Sequence, residues 1–122
     1  MSFEFNNQTP IYLQIIEHIK KQIISKNYLP NQKLPSVRDL SFEFKVNPNT
    51  IQKALAELED MDLIYTERTN GKYITSDEDI IKQIKEKTIK EMTTKFFSSM
   101  NELGINKAEI IEIISKEEKG EN

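Results

Sequence analysis

The sequence lacks cysteine and has little histidine, the residues that build disulfide bonds and structural zinc sites. Its 122 residues include no cysteine, which excludes disulfide bonds and thiolate metal sites. His18 is the only histidine, so the clustered Cys and His ligands of a structural zinc site are missing as well. The sequence therefore predicts neither a bound metal nor another cofactor.

A long hydrophobic run is also missing. No apolar stretch approaches the length needed to cross a bilayer, and the chain does not open with a charged and then apolar leader. Its content of 37% hydrophobic and 30% charged residues is ordinary for a protein with many exposed helix faces. We expect a cytoplasmic protein without a membrane partner, built as one modest domain plus an appendage.

The common signatures of an enzyme are absent too. The sequence has no Gly-rich phosphate loop, its single histidine leaves no Ser/His/Asp set, and no paired metal-ligand spacing occurs. We therefore predict that the protein is not an enzyme.

Positive charge is not in excess either, so the net charge alone does not indicate nucleic-acid binding. The formal net charge is −3. Residues 1–76 carry nine Lys or Arg and nine Asp or Glu, whereas residues 77–122 carry eight and eleven. A neutral domain with a local basic face can bind DNA, but with modest non-specific affinity and a dependence on dimerisation.

Two short helices joined by a tight polar turn are predicted for residues 36–61. Ser36 followed by Asp39 is a capping-box pattern, and Asn47 followed by Pro48 is a second helix start. Apolar residues recur at helical spacing after each start: Val37, Leu40 and Phe44, then Ile51, Ala54, Leu55 and Leu58. Polar side chains are left pointing outward near the start of the second helix, where a recognition helix meets base edges. The pattern predicts a helix-turn-helix with double-stranded DNA as its partner.

The segments on either side of this motif complete a domain over residues 1–76. Thr9-Pro10 opens a helix that should end near residues 26–27. Two β-prone runs, 63–66 and 72–75, flank Asn70-Gly71, which is a strong hairpin signal. The predicted fold is mainly α with a small β-hairpin wing, a winged helix-turn-helix.

Residues 77–122 are predicted to form a helical hairpin with a charged tail. Ser76 with Asp79 and Asn106 with Glu109 are two further helix starts. Two helices cannot bury faces this apolar by themselves, so the apolar stripe needs the winged helix or a second copy of the chain. We predict a homodimer interface formed by Ile81, Ile84, Met92, Phe96, Met100, Ile110 and Ile114.

Several spaced motifs resemble the N-terminal domain of the GntR family of bacterial transcription regulators. The family signature Leu-Pro-Ser-x-Arg-x-Leu lies at residues 34–40, and the Val-x-x-x-Thr turn at residues 46–50. The Gly of the wing and the aromatic and aliphatic residues after it are Gly71, Tyr73 and Ile74. The opening Pro10-Ile11-Tyr12-x-Gln14-Ile15 and the short two-helix C-terminal segment are similar to the YtrA-like subfamily.

This resemblance implies a homodimeric repressor, or less often an activator, on a short pseudo-palindromic operator, often upstream of transporter genes. Carried over by position, Ser36 and Arg38 would meet the DNA backbone and a base edge. The start of the recognition helix would present Asn47, Asn49, Thr50 and Gln52. The wing tip, Asn70 and Gly71, would enter the minor groove. From their charge and place, Lys53, Arg68 and Lys72 are expected to meet phosphates.

Two departures from the family pattern affect this interface. Thr69 occupies the first glycine of the usual Gly-x-Gly in the wing, and Pro48 and Gln52 stand where many members carry Arg. Asn and Gln pair well with adenine, whereas Arg pairs with guanine. The chemistry therefore favours an operator rich in A·T.

Structural interpretations compete with these roles. Arg38 could pair with Asp39 or Glu43 on the surface, and its N-cap role alone could account for Asn47. Tyr65 and Tyr73 are expected to pack the hairpin. His18 is expected at the solvent edge of the first helix, not as a ligand.

Two other functions stay open at this point. The first is a winged helix that binds a protein instead of DNA, which salt dependence would separate, because phosphate binding weakens steeply as salt rises. The second is a ligand sensor, although a helical hairpin of about 45 residues offers little volume for a pocket. An effector, whose identity is unknown, would bind at the dimer interface or beside the winged helix.

Overall fold

The structure is a computed structural model that describes residues 3–120, with side chains as far as residue 117. This part of the chain contains five helices and a two-stranded hairpin. In chain order they are α1 (Ile11–Ile24), α2 (Val37–Phe44), α3 (Pro48–Asp60), β1 (Ile64–Glu67), β2 (Gly71–Ile74), α4 (Glu78–Glu102) and α5 (Lys107–Gly120). The predicted fold class, a mainly α winged helix followed by C-terminal helices, is confirmed. The chain divides into two compact units, one ending at Ile84 and one beginning at Lys85.

Helix α1 starts at a proline and is held by a side chain from its own first turns. Pro10 is the N-cap and offers no side-chain hydrogen bond. Gln14 supplies the anchoring instead: its Nε2 donates to the carbonyls of Asn6 (3.0 Å) and Thr9 (2.8 Å), and its Oε1 accepts from the Asn6 amide. The chain before the helix is thereby fixed against α1.

Local hydrogen bonds define both ends of the turn between α2 and α3. Ser36 Oγ accepts from the Asp39 amide (3.0 Å) at the start of α2, and Asn47 Oδ1 accepts from the Asn49 amide (2.7 Å) at the start of α3. Lys45 ends α2 in the left-handed region at φ 58°, and Ser41 Oγ donates to the Val46 carbonyl. Both predicted helix starts are therefore present.

The core of the first unit lies between α1, α2, α3 and the hairpin. Its buried members come mostly from the predicted apolar faces: Ile15, Ile16, Ile19, Ile23, Leu34, Leu40, Phe44, Ile51, Ala54, Leu55, Leu58, Leu63, Ile64, Ile74 and Ile81. Each fully buried Leu or Ile stabilises the fold by roughly 1.5–3 kcal/mol relative to exposure. This core fixes the direction of α3.

The wing, residues 64–74, is an antiparallel hairpin paired from Ile64↔Ile74 to Glu67↔Gly71. Gly71 has φ +109°, where any side chain would be strained, and a Cβ there would lie 3.3 Å from Lys33 Cε. The stretch before α2 adds a third partner, because the Leu34 amide donates to the Lys72 carbonyl (2.8 Å). The Ile74 amide also donates to the Gln32 carbonyl (2.9 Å). The wing is thus bonded on one edge to the segment that leads into the helix-turn-helix.

The starts of the last two helices differ from each other in how far they match the prediction. Helix α4 is capped by Asp77, whose Oδ1 accepts from the Asp79 amide (2.9 Å), so the prediction that Ser76 caps it is wrong by one residue. Helix α5 has the predicted reciprocal pair: the Asn106 and Glu109 side chains each accept from the other residue's amide. Gly104, at φ +79°, lies in the turn between the two helices.

Candidate nucleic-acid interface

The N-terminal turn of α2 presents Arg38 to solvent. Ser36 caps the helix, so its hydroxyl oxygen is already engaged by the Asp39 amide. Arg38 is exposed and forms no salt bridge with any residue that the structure describes, so the pairing with Asp39 or Glu43 considered above is not observed. An unpaired guanidinium with five donors is suited to a phosphate or a guanine edge.

The first turns of α3, the predicted recognition helix, expose a polar face. Asn47, Asn49 and Gln52 are exposed and Thr50 is half-buried. Asn49 and Gln52 lie away from the buried face of Ile51, Ala54, Leu55 and Leu58, and Asn47 is the N-cap before the helix. The Asn47 side chain uses its oxygen to cap the helix, which leaves its amide nitrogen as the free donor. The face can therefore offer donors and acceptors to base edges without disturbing the core.

Lys53 lies on an aromatic ring. Its Nζ is 4.0 Å from the centroid of the Tyr12 ring on α1. Such a cation–π contact holds an ammonium group in place while leaving its remaining donors open. Lys53, which is predicted to meet a phosphate, is thus held against α1, a contact that no sequence pattern indicated.

The tip of the wing is exposed and largely free of internal contacts. Arg68, Asn70 and Gly71 are all exposed, and the Asn70 amide closes the turn by donating to the Glu67 carbonyl (3.1 Å). Arg68 forms no salt bridge within residues 3–117. The tip therefore has one free cation and one free amide side chain.

Lys72 is not free in the same way. Its Nζ donates to Glu59 Oε1 (2.9 Å) and Thr66 Oγ1 (2.8 Å), and Thr66 Oγ1 itself donates to the Glu59 carboxylate. The hydrogen bond from Lys72, aided by the one from Thr66, holds the pKa of the Glu59 carboxyl below its usual range against a smaller opposing effect of burial. The ammonium predicted to meet phosphate therefore joins the wing to the C-terminal part of α3.

Two tyrosines pack the wing, as predicted. The Tyr65 and Tyr73 rings stack with centroids 5.7 Å apart, and Tyr65 Oη donates to Asn31 Oδ1 (2.7 Å). Lys33 forms a β-bridge with Tyr73. The hairpin is thereby fixed to the turn that precedes α2.

His18 lies at the solvent edge of α1, as predicted, but it is partly covered by aromatic rings. It is half-buried, and its imidazole makes edge-on contacts with two phenylalanine rings. The centroid distances are 4.8 Å to Phe3 and 5.5 Å to Phe44. Burial lowers the pKa of its imidazole, with Glu43 opposing and Lys21 adding to the shift. The sequence did not predict the contact with Phe3, which precedes α1 and covers one side of the imidazole.

The residues predicted for a dimer interface fall into two groups. Ile81 is only 4% exposed and belongs to the core of the first unit, and Ile84 packs against that core. Ile110 is likewise buried, so Ile81 and Ile110 stabilise a single chain and, contrary to the prediction, are not open to a second copy. Met92 (60% exposed), Phe96 (42%) and Ile114 (51%) stay accessible, and Met100 is half-buried.

Within the described residues, no group of three or more His, Cys, Asp or Glu side chains could hold a metal ion. None of the helices in that part of the chain is long and apolar enough to cross a membrane.

Together, a capped helix with an exposed polar start, a free arginine beside it and a hairpin at its far end define a winged helix-turn-helix protein of the DNA-binding type. Residues 11–74 match the bacterial regulatory proteins of the gntR family. The chain belongs to this family, which confirms the resemblance seen in the sequence, and its relatives are transcriptional regulators, not enzymes.

Two relatives from Bacillus subtilis (strain 168) are similar in sequence. The uncharacterised HTH-type transcriptional regulator YhcF is 39% identical over 112 residues, which span 92% of this chain and 93% of the relative. The HTH-type transcriptional repressor YtrA is 45% identical over 69 residues, which span 57% of this chain and 53% of the repressor.

Two solved structures extend the comparison. A GntR family transcriptional regulator from Listeria monocytogenes has a TM-score of 0.86 and 45% identity, and the match covers 92% of this chain and 98% of that one. The DNA-binding domain of AraR in complex with operator ORX1 has a TM-score of 0.56 and 28% identity, covering 62% of this chain and 95% of that one. The second structure is a relative of this fold bound to operator DNA.

Proposed function

We propose that this chain is a cytoplasmic transcriptional repressor that binds a short inverted repeat as a homodimer. The observation that carries the proposal is the exposed polar start of α3, where Asn47, Asn49 and Gln52 stand on a helix capped and buried on its other face. Such a helix start enters the major groove in helix-turn-helix proteins. Repression is supported by the names of two relatives, the HTH-type transcriptional repressor YtrA and the arabinose metabolism transcriptional repressor of Geobacillus stearothermophilus.

The proposed contacts are of two kinds: some side chains would recognise base edges, and others would bind the DNA backbone. Asn49 and Gln52 would face base edges, with Thr50 and the Asn47 amide beside them, and Arg38 would lie where the DNA backbone meets a base edge. Lys53 and Arg68 would meet phosphates, and Asn70 and Gly71 would form the tip that reaches the minor groove. Ser36 would contact the backbone through the first turn of α2. Lys72 would join them only after leaving Glu59.

The second copy would pair through the accessible part of the apolar stripe on α4 and α5. Met92, Phe96 and Ile114 are exposed, and Ile89, Ile111 and Ile113 enlarge this surface. Exposed apolar surface on this scale is typical of an interaction site. A two-fold pair would set two α3 helices into successive major grooves about one helical turn apart. Dimerisation would also double the phosphate contacts of a domain with no net charge.

The base preference follows from the side chains on α3. Asn and Gln bond to adenine through two hydrogen bonds, and α3 carries no Arg in its first turns. We propose that the half-sites of the operator are rich in A·T. We also propose transporter genes as the regulated genes, which the family resemblance supports. Selection of bound sequences from a random DNA pool tests this preference, and G·C-rich half-sites would overturn it.

The decisive experiment is fluorescence anisotropy of labelled DNA from upstream of the gene, against a scrambled duplex, at several salt concentrations. Tighter binding to the native sequence, weakening as salt rises, is expected of a specific regulator. No binding to either duplex at low salt would instead favour the alternative function, a winged helix that binds a protein instead of DNA.

A further inference from the structure

Phe42 is the large apolar side chain of the helix-turn-helix that is most open to solvent. It is 86% exposed, although Leu40 and Phe44 on the same helix are buried. At about 100° per residue, position 42 lies on the opposite side of α2 from these two. The core therefore does not account for a phenylalanine here.

Phe42 lines a groove between α2 and the start of α3. The groove has a volume of about 970 Å³, and its polar lining includes Ser36, Arg38, Lys45 and Asn47. Three of these, Ser36, Arg38 and Asn47, belong to the proposed DNA contacts. The groove is thus continuous with the proposed DNA-binding surface, and Phe42 is part of its wall.

The charges of the groove favour a polyanion. Arg38 precedes Phe42 on α2 and Lys45 follows it as the C-cap of that helix, and neither forms a salt bridge within residues 3–117. Asp39 is the one acidic residue of the lining, which leaves the wall with an excess of positive charge. In a duplex, deoxyribose rings alternate with phosphates, so an apolar ring between two cations matches the order of groups along one strand.

We propose that the sugar–phosphate backbone of bound duplex DNA occupies this groove, with a deoxyribose packed on the Phe42 ring and the flanking phosphates near Arg38 and Lys45. This inference rests on the proposed DNA-binding function and adds an apolar backbone contact to it. Because every nucleotide carries the same sugar, the contact contributes affinity without sequence preference.

The contact has a distinct thermodynamic signature. Phe42→Ala should weaken binding to the selected operator and to a mixed-sequence duplex by the same factor, about tenfold, or about 1.4 kcal/mol. The dependence on salt should not change, because no charge is removed. Phe42→Leu keeps an apolar side chain and should retain most of the affinity, whereas Lys45→Ala should reduce the salt slope by about one.

A fluorescent version of the same position tests the contact directly. The chain contains no tryptophan, so Phe42→Trp carries a single reporter in the groove. Leu103→Trp is the matched control, since Leu103 is 73% exposed and lies in the second unit. Each variant is titrated with an unlabelled 30-base-pair mixed-sequence duplex at low salt, and binding is followed in parallel by anisotropy of a labelled copy.

The proposal expects a saturable change in emission from the tryptophan at position 42, at the same DNA concentration as the anisotropy change, and none from position 103. Binding without an emission change at position 42 would overturn the groove contact and leave the regulator assignment standing. An emission change that follows protein concentration without DNA would assign the groove to a second copy and also overturn it. If the unaltered protein binds neither this duplex nor its upstream DNA, the proposed function fails and this contact with it.

Discussion

Glu59 near the end of α3 and Lys72 in β2 are joined by an ion pair of 2.9 Å that links two elements of the winged helix. Thr66, the cross-strand partner of Lys72, completes the network from the other strand of the wing. Both charged side chains keep solvent contact, so the pair orients the wing more than it stabilises the fold. It also occupies an ammonium group that phosphate would otherwise attract.

Glu59→Gln is expected to release Lys72 for the DNA backbone. The slope of log affinity against log salt should then become steeper by about one, because one more counterion is displaced. Glu57→Gln is the matched control, since it removes the same charge from an exposed position on α3 that has no salt bridge in the described part of the chain. Equal slopes for the two variants would show that Glu59 does not hold Lys72 away from phosphate.

Arg38→Ala is expected to cost about 1–3 kcal/mol of operator affinity and to leave the fold intact. The guanidinium is exposed without a salt-bridge partner in residues 3–117, so its loss removes no internal contact of that kind. Anisotropy titration measures the affinity, and the midpoint of thermal unfolding checks the fold. Lys107→Ala in the second unit serves as the control for a lost positive charge. Unchanged operator affinity would remove Arg38 from the interface.

Phe96→Asp is expected to give monomers that no longer bind the operator specifically. A carboxylate on the apolar stripe of α4 would be buried without a partner in a two-fold interface. Ser98→Asp, which adds a charge at an exposed polar position of the same helix, should stay dimeric. Sedimentation velocity at micromolar concentration distinguishes the two. A Phe96→Asp protein that is still dimeric would contradict the interface.

His18 is expected to make stability sensitive to mild acid. Burial between Phe3 and Phe44 lowers the folded-state pKa of the imidazole below its unfolded value of 6.5, so the native state favours the neutral form. The resulting stabilisation is present above pH 6.5 and is lost as the pH falls through the lowered folded pKa. The midpoint of thermal unfolding should therefore drop further between pH 7 and pH 5 in the unaltered protein than in His18→Gln. Identical drops would assign the acid sensitivity to the carboxylates alone.

The elements that the sequence predicted well depend on neighbours in the chain. The side chains of Ser36 and Asn47 accept hydrogen bonds from amides two or three residues further along, so the local sequence predicted both helix starts of the motif. The helical spacing of apolar residues likewise predicted which faces of α2 and α3 are buried. The exposure of Phe42 was not predicted, although an apolar residue two positions from both Leu40 and Phe44 lies off the buried face.

The contacts that escaped prediction join residues that are distant in the chain. Lys72 is thirteen positions from Glu59, and their pairing depends on how the wing returns over α3. Lys53 on α3 contacts the ring of Tyr12 on α1, and Phe3 covers one side of His18. Ile81 was predicted for the dimer interface because periodicity shows that a helix face is apolar, not which surface covers it.

The backbone bonds that tie residues 31–34 to the wing also bear on the dynamics of the free protein. The Leu34 and Ile74 amides each donate across this junction, and Asn31 donates to the Ile74 carbonyl. Opening the hairpin therefore requires the segment before α2 to open too, so their amide protons should exchange with solvent as one cooperative unit. In the proposed complex with DNA, the wing would therefore already be ordered before binding, and little conformational entropy would be lost on that side.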